Sequence, residues 1–142
     1  MQYSKVGIEL TKSFEACRLT AYPDIKGVLT IGFGHTGPEV VEGLVWTQNQ
    51  ADSQLVIDLQ RAEHMVDTCV TVTLTQGQYD ALVDFAFNCG VNAEKGSTLL
   101  KLVNENDMAD AANEFAKWSH ASGVVVAGLL RRRLAEKAEF EQ

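Results

Sequence analysis

Apolar residues recur at helical spacing at the start of the chain. Tyr3, Val6, Leu10 and Phe14 share one face of a 3.6-residue turn and predict an amphipathic helix ending near Glu15 or Ala16. From Arg18 to Gly37 the period is lost. Glycine, threonine and β-branched or aromatic residues take over, and short stretches around Leu19, Leu29 and Ile31 predict small strands, with Pro23, Asp24 and Gly27 in turns. After Trp46 the helical period returns. Thr47 followed by Gln50 is a capping box, and Ala51, Leu55, Leu59, Ala62, Val66 and Cys69 form one apolar stripe along a long helix. Thr75 with Gln78 repeats the capping signal ahead of Tyr79, Leu82, Val83 and Ala86. Ser97 opens a short helix. Asp107 caps another, with Met108, Ala111, Phe115 and Trp118 as its inner face, and Leu130, Leu134 and Ala138 mark the last. The pattern predicts an α+β fold in one domain, 1–142. It comprises a small antiparallel β-rich lobe over about 17–46, a larger helical lobe over about 70–142, a linking helix over about 47–69, and a cleft between the lobes.

Composition narrows the classes. A chain of 142 residues can bury a core without disulfides or metals, and 46% hydrophobic with 22% charged residues excludes a disordered segment. The net charge of −7 speaks against nucleic-acid binding, which needs a surplus of Lys and Arg. It also means that an anionic partner would have to be met locally, and Arg131, Arg132 and Arg133, with Lys137 beyond, form the dense basic run on which such steering is expected. Cys17, Cys69 and Cys89 are odd in number and lack metal-ligand spacing. They predict free, mostly buried thiols and no metal site, with one pair left able to bridge in an oxidising compartment. The start, MQYSKVGIEL, lacks the basic-then-apolar pattern of a signal peptide. The longest apolar run, Val124 to Leu130, falls well short of the ~18 residues a membrane span needs. The expectation is a protein with no signal peptide, no transmembrane anchor and no stable membrane association.

The chemistry concentrates in FEACRLTAYPDIKGVLTIGFGHT, Phe14 to Thr36. Glu15 closes a helix, Asp24 follows in a turn, and Thr30 stands at a strand start ahead of two alternating glycines and His35. Hydrolysis of a glycosidic bond needs a protonated acid on the leaving oxygen and a carboxylate that steers water or stabilises an oxocarbenium-like transition state. The negative end of the helix dipole favours the protonated form of an acid placed there, as Glu15 is, and a polar turn suits a carboxylate such as Asp24. The two acids alone do not separate catalysis from ordinary structural carboxylates. His35 alone reads equally as a buried, satisfied histidine, and the glycines around Phe33 as sites of close backbone approach.

The ordered set does separate them. The segment resembles the phage-type lysozyme (endolysin) family, whose pattern is a helix-ending Glu, a Tyr-x-Asp turn, then Thr-Ile-Gly-x-Gly-His-Thr. Here these are Glu15, Tyr22 with Asp24, and Thr30 through Thr36. YDALVDFAFNCG (Tyr79 to Gly90), STLLKLVN (Ser97 to Asn104), Trp118 and GLLRRRLAE (Gly128 to Glu136) extend the likeness over nearly the whole chain. Departures are small: Ala16 follows the acid where Gly is usual, Cys89 replaces a common apolar residue, and the chain is acidic where many members are basic.

The resemblance implies a lysozyme-like fold and a glycoside hydrolase that cuts the β-1,4 bond between N-acetylmuramic acid and N-acetylglucosamine in bacterial peptidoglycan. It implies an inverting, cofactor-free, monomeric enzyme of phage or prophage origin. Such an enzyme gathers in the host cytoplasm and reaches the periplasm and cell wall once a separate membrane protein opens the way. Glu15 would be the general acid, with Asp24 and Thr30 orienting the attacking water. Arg131 falls where the family places an arginine that approaches the acid, although a solvated helix face explains it equally well. His35 resembles a histidine that pairs with an acid on the long helix, and Asp58 falls there, as a structural pair. The rival readings are a lytic transglycosylase, which needs no water-positioning pair, and an inactive peptidoglycan-binding module.

Overall fold

A computed structural model describes residues 1–142. The chain runs through α1 (Lys5–Phe14), β1 (Arg18–Pro23), β2 (Leu29–Gly32), β3 (His35–Thr36), α2 (Gln48–Cys69), α3 (Gln76–Cys89), α4 (Val91–Lys95), α5 (Thr98–Asn104), α6 (Met108–Glu114), a 3₁₀ turn (Phe115–Trp118), β4 (His120–Ala121), β5 (Val124–Val125) and α7 (Ala127–Phe140). The fold is α+β, with one three-stranded antiparallel sheet in the order β1-β2-β3 and a separate two-stranded ribbon, β4-β5. It divides into two compact units, Thr11–Gln60 on the one hand and Met1–Leu10 with Arg61–Gln142 on the other.

Local signals place the helices where the chain predicts them. Ser4 caps α1 by accepting the Gly7 N–H at 3.1 Å. The Thr47–Gln50 box closes in both directions, at 2.8 and 3.2 Å. Thr75 and Gln78 form the same reciprocal box on α3, and Ser97 and Asp107 cap α5 and α6. Each cap satisfies N–H groups that the first helical turn leaves without partners. The stripe on α2 is buried from Ala51 to Val66.

Three expectations are corrected. On α1 the inward face is Tyr3, Gly7 and Thr11, and Val6 is exposed. A Cβ on Gly7 would lie 2.3 Å from the Tyr3 ring, so this position needs a residue with no side chain, a constraint that hydropathy does not register. The three cysteines are free but not mostly buried: Cys17 is exposed and Cys69 and Cys89 are half-buried. The third correction is on α7. Leu134 and Ala138 face solvent, while Arg132, Arg133, Glu136 and Phe140 point inward.

The basic run is therefore not a surface patch. Arg132 and Arg133 are 4% and 0% exposed, and only Arg131 of the three is exposed. Arg132 grips the buried carboxylate of Asp84 on α3 with two parallel bonds, Nε to Oδ2 at 2.9 Å and Nη2 to Oδ1 at 2.8 Å. This is the fork geometry that makes arginine the preferred partner for a buried carboxylate. Arg133 donates to Glu136 at 2.6 Å, to Asn88 at 2.7 Å and to the Cys89 sulfur, and lies over the Phe85 ring. Burial and the adjacent Asp84 carboxylate push Glu136 well above the usual carboxylate range, against the pull of Arg133. Burial likewise lifts the Cys89 thiol to about 11. Around this network Phe85 meets Phe115 and Trp118 edge-on, and Phe115 meets Phe140.

One buried acid stands outside this pairing. Glu94 on α4 is fully buried, neither of its oxygens finds a donor in the protein, and burial raises it well above the carboxylate range despite the charge of Arg133. Two substitutions should act in opposite directions. Asp84→Ala removes the bidentate partner of the buried Arg132, leaving Glu136 at 3.8 Å as a weaker counter-charge, and should cost about 3 kcal/mol in denaturant unfolding. Glu94→Met should stabilise by about 1–3 kcal/mol, because an unpaired polar group leaves the interior. A carboxyl with a raised folded-state pKa costs stability as pH climbs above the unfolded value, so the Glu94→Met gain should be largest at alkaline pH and fall, below about pH 4, to the smaller part owed to burying the neutral carboxyl. A gain independent of pH would contradict this assignment.

Candidate active site

The expected site residues Glu15, Asp24, Thr30, His35 and Asp58 all belong to the unit Thr11–Gln60, and Arg131 is an exposed residue of α7 in the other unit. Glu15 sits one residue beyond α1, its N–H still bonded to the Thr11 carbonyl at 3.0 Å. It is half-buried. The turn joining β2 to β3 lies beside it: a Cβ built on Gly34 would stand 3.7 Å from Glu15 Oε2. Gly34 has φ of 78°, a backbone conformation that L side chains rarely adopt, so glycine is what forms the turn beside the acid.

Asp24 and Thr30 are organised by one backbone residue. Asp24 opens the turn between β1 and β2, and its Oδ1 accepts the N–H groups of Lys26 at 2.8 Å and Val28 at 2.9 Å. The Asp24 N–H donates to the Val28 carbonyl at 2.9 Å, and the Gly27 N–H returns to the Asp24 carbonyl. Thr30 is 4% exposed, opposite Tyr22 in the ladder, and its hydroxyl donates to the same Val28 carbonyl at 2.9 Å. Both polar residues thus hang from the Val28 peptide. Both amide bonds fall on Oδ1, so neither engages Oδ2. Neither the role of Val28 nor that of Gly34 is visible in residue type alone, since both act through backbone.

His35 lies between two carboxylates. Nδ1 is 2.8 Å from Asp58 Oδ2 on α2 and Nε2 is 2.5 Å from Glu39 Oε1. The structure thus brings His35 and Asp58 together and adds Glu39, which sequence reading passed over because position i+4 in a loop carries no periodic signal. The imidazole also stacks at 5.6 Å on Trp46, whose indole covers Gly32 so closely that a Cβ there would be 2.9 Å away. Burial by itself would lower the His35 pKa. The hydrogen bonds to Glu39 and Asp58 and the negative charges of both outweigh it and raise the pKa above its ordinary 6.5. The Glu39 carboxyl is lowered, first of all by its bond to His35.

The profile of the family described as Phage lysozyme matches residues 12–136. The chain belongs to the phage lysozyme family. It is 43% identical over 142 residues to the endolysin of Bacillus phage PZA, covering 99% of this chain but 55% of that protein, so the chain spans about half the length of that relative. Among solved structures it is similar to P22 lysozyme (39% identity, 100% of this chain and 99% of the other, TM-score 0.92). It is equally similar to the muramidase domain of SpmX from Asticaccaulis excentricus (39% identity, 99% and 98%, TM-score 0.93). The fold is lysozyme-like at this level of likeness. No helix of this family member is long and apolar enough to cross a membrane.

A histidine whose folded-state pKa is raised contributes stability that is complete below pH 6.5 and is lost as pH rises through the folded value. The stability difference between wild type and His35→Gln should therefore be larger at pH 6 than at pH 9. Urea titrations at the two values test it, and a difference that grows toward alkaline pH would reverse the sign assigned to this cluster.

Proposed function

We propose that this phage lysozyme family member is a muramidase that hydrolyses the β-1,4 bond between N-acetylmuramic acid and N-acetylglucosamine in bacterial peptidoglycan. The observation that carries this reading is the shared anchoring of Asp24 and Thr30 on Val28, in the same unit as a glutamate held at a helix end beside a side-chain-free turn. Glu15 protonates the leaving glycosidic oxygen. Asp24, through Oδ2, and the Thr30 oxygen hold a water for attack at the anomeric carbon, and Asp24 takes up its proton. Direct attack by water inverts the anomeric configuration, in keeping with a water-holding pair rather than a carboxylate nucleophile. Arg131, on α7, is in this reading the positive group that the family likeness assigns to the reaction. His35 and Asp58 support the β2–β3 turn.

The reading extends to the setting. The enzyme works as a monomer without cofactor, gathers in the host cytoplasm and reaches the wall when a separate membrane protein opens the way. Relatives named endolysins favour this role in lysis. Steering by a surface Arg131–Arg133 cluster is withdrawn, because two of its three members are buried in ion pairs.

Glu15→Gln keeps the shape of the side chain but cannot donate the proton, and should reduce release of reducing ends from purified sacculi at least ~10²-fold with unchanged thermal unfolding. Retention of more than half the wild-type rate would remove Glu15 from its role. For wild type, the first product seen by proton NMR should be the α-anomer. A β-anomer would indicate retention, and anhydro-muropeptides in place of reducing ends would indicate a transglycosylase.

A further inference from the structure

A groove on the unit Thr11–Gln60 is lined by Trp46, Asn49, Gln50, Ser53, Gln54 and Ile57 and has a volume of about 390 Å³. None of these residues belongs to the catalytic set. We infer that the groove is a second saccharide-binding site, which takes an N-acetylhexosamine unit of a glycan strand and performs no chemistry on it.

Two amides in the groove are held in opposite senses. Gln50 accepts the Thr47 N–H through Oε1 at 2.8 Å, a bond that only the oxygen can make, so its NH₂ group is the end left to a ligand. Gln54 donates through Nε2 to Asp58 Oδ1 at 2.9 Å, a bond that only the nitrogen can make, so its carbonyl oxygen is left. The two stand one helical turn apart on the same face. An acetamido group presents one C=O and one N–H, the complement of a fixed donor beside a fixed acceptor. Because neighbouring bonds already orient both amides, little rotamer freedom remains to be lost on binding.

Trp46 supplies the apolar side. The His35 ring and Gly32 pack against it and fix its orientation, while it remains half-exposed. A fixed, partly open indole offers a face to the C–H groups of a pyranose, and the exposed Asn49 and Ser53 add groups for its hydroxyls.

Charge decides the ligand class. No lining residue is ionised. The nearby acids of α2 are engaged elsewhere, Asp52 with Lys12 at 3.2 Å and Gln48 at 2.9 Å, and Asp58 with His35 and Gln54. The groove has no cation for a phosphate or peptide carboxylate, and suits a neutral sugar on a chain of net charge −7. The choice of glycan rests on the peptidoglycan reading above, but the site does not depend on the roles of Glu15, Asp24 or Thr30.

The test is a ¹⁵N NMR titration of the Glu15→Gln chain with di-N-acetylchitobiose. The Trp46 indole N–H and the backbone amides of Asn49, Ser53 and Ile57 should shift saturably. Asn49→Asp with Ser53→Asp, two exposed positions, should weaken that binding roughly ten-fold, the order expected for two lost hydrogen bonds. In the wild-type background the same pair should lower retention on intact sacculi and leave turnover of soluble wall fragments unchanged, which also reports a retained fold. Absence of saturable shifts at these positions, or equal affinity in the double variant, overturns the site. Failure of the muramidase reading would show separately, as no reducing ends released by wild type.

Discussion

The bidentate contact between Arg132 and Asp84 joins α7 to α3 from inside the protein, and the larger unit is arranged around the consequences of burying it. Taking two charges out of water costs several kcal/mol each, which attraction offsets only where geometry is close and the remaining polar atoms are bonded. The bond lengths of 2.8 and 2.9 Å meet the first condition. The second is met in part: Arg133 binds Glu136, Asn88 and Cys89 on the same two helices and lies over the Phe85 ring, while Arg133 Nε and Glu136 Oε2 are buried without a hydrogen-bond partner. Edge-to-face aromatic contacts pack around the network, from Phe85 to Phe115 and Trp118 and from Phe115 to Phe140. Removing one member strands another, so this part of the chain tolerates change poorly despite its polar composition.

The smaller unit depends on backbone rather than on ion pairs. A turn with Gly27 at φ of 81° brings Asp24 back onto Val28, and a second turn with Gly34 at φ of 78° lies beside Glu15. Held by main-chain groups, the Asp24 carboxylate and the Thr30 hydroxyl keep their positions without large side chains crowding the space around them. Preorganisation of this kind suits the water-holding role proposed for the two residues, because small displacements at a reacting group are costly in rate. His35, between Asp58 and Glu39 and against Trp46, ties β3 to α2 in the same unit.

Likeness to P22 lysozyme and to the SpmX muramidase domain extends over nearly the full length of each. The buried unpaired Glu94, the second carboxylate on His35 and the neutral groove beside Trp46 are read from this chain's own side chains. The first two bear on its stability and its response to pH, and the third on the saccharide binding inferred above.

Much of the fold was legible in residue order. Capping boxes at Thr47 and Thr75, caps at Ser97 and Asp107, and the α2 stripe depend on neighbours three or four positions apart, and the sequence states those directly. The order Glu15, Asp24, Thr30 was legible for the same reason, being carried by one short segment. What the sequence could not state is which face of α7 turns inward. Hydropathy assigned Leu134 to the core and Arg132 and Arg133 to water, because a charged residue is costly to bury alone. Only the tertiary structure supplies Asp84, Asn88 and Cys89, more than forty positions away, and with those partners in place the buried arginines become the favourable arrangement. Residue order thus determined the elements and the order Glu15, Asp24, Thr30, whereas long-range pairing decided which polar groups could leave water.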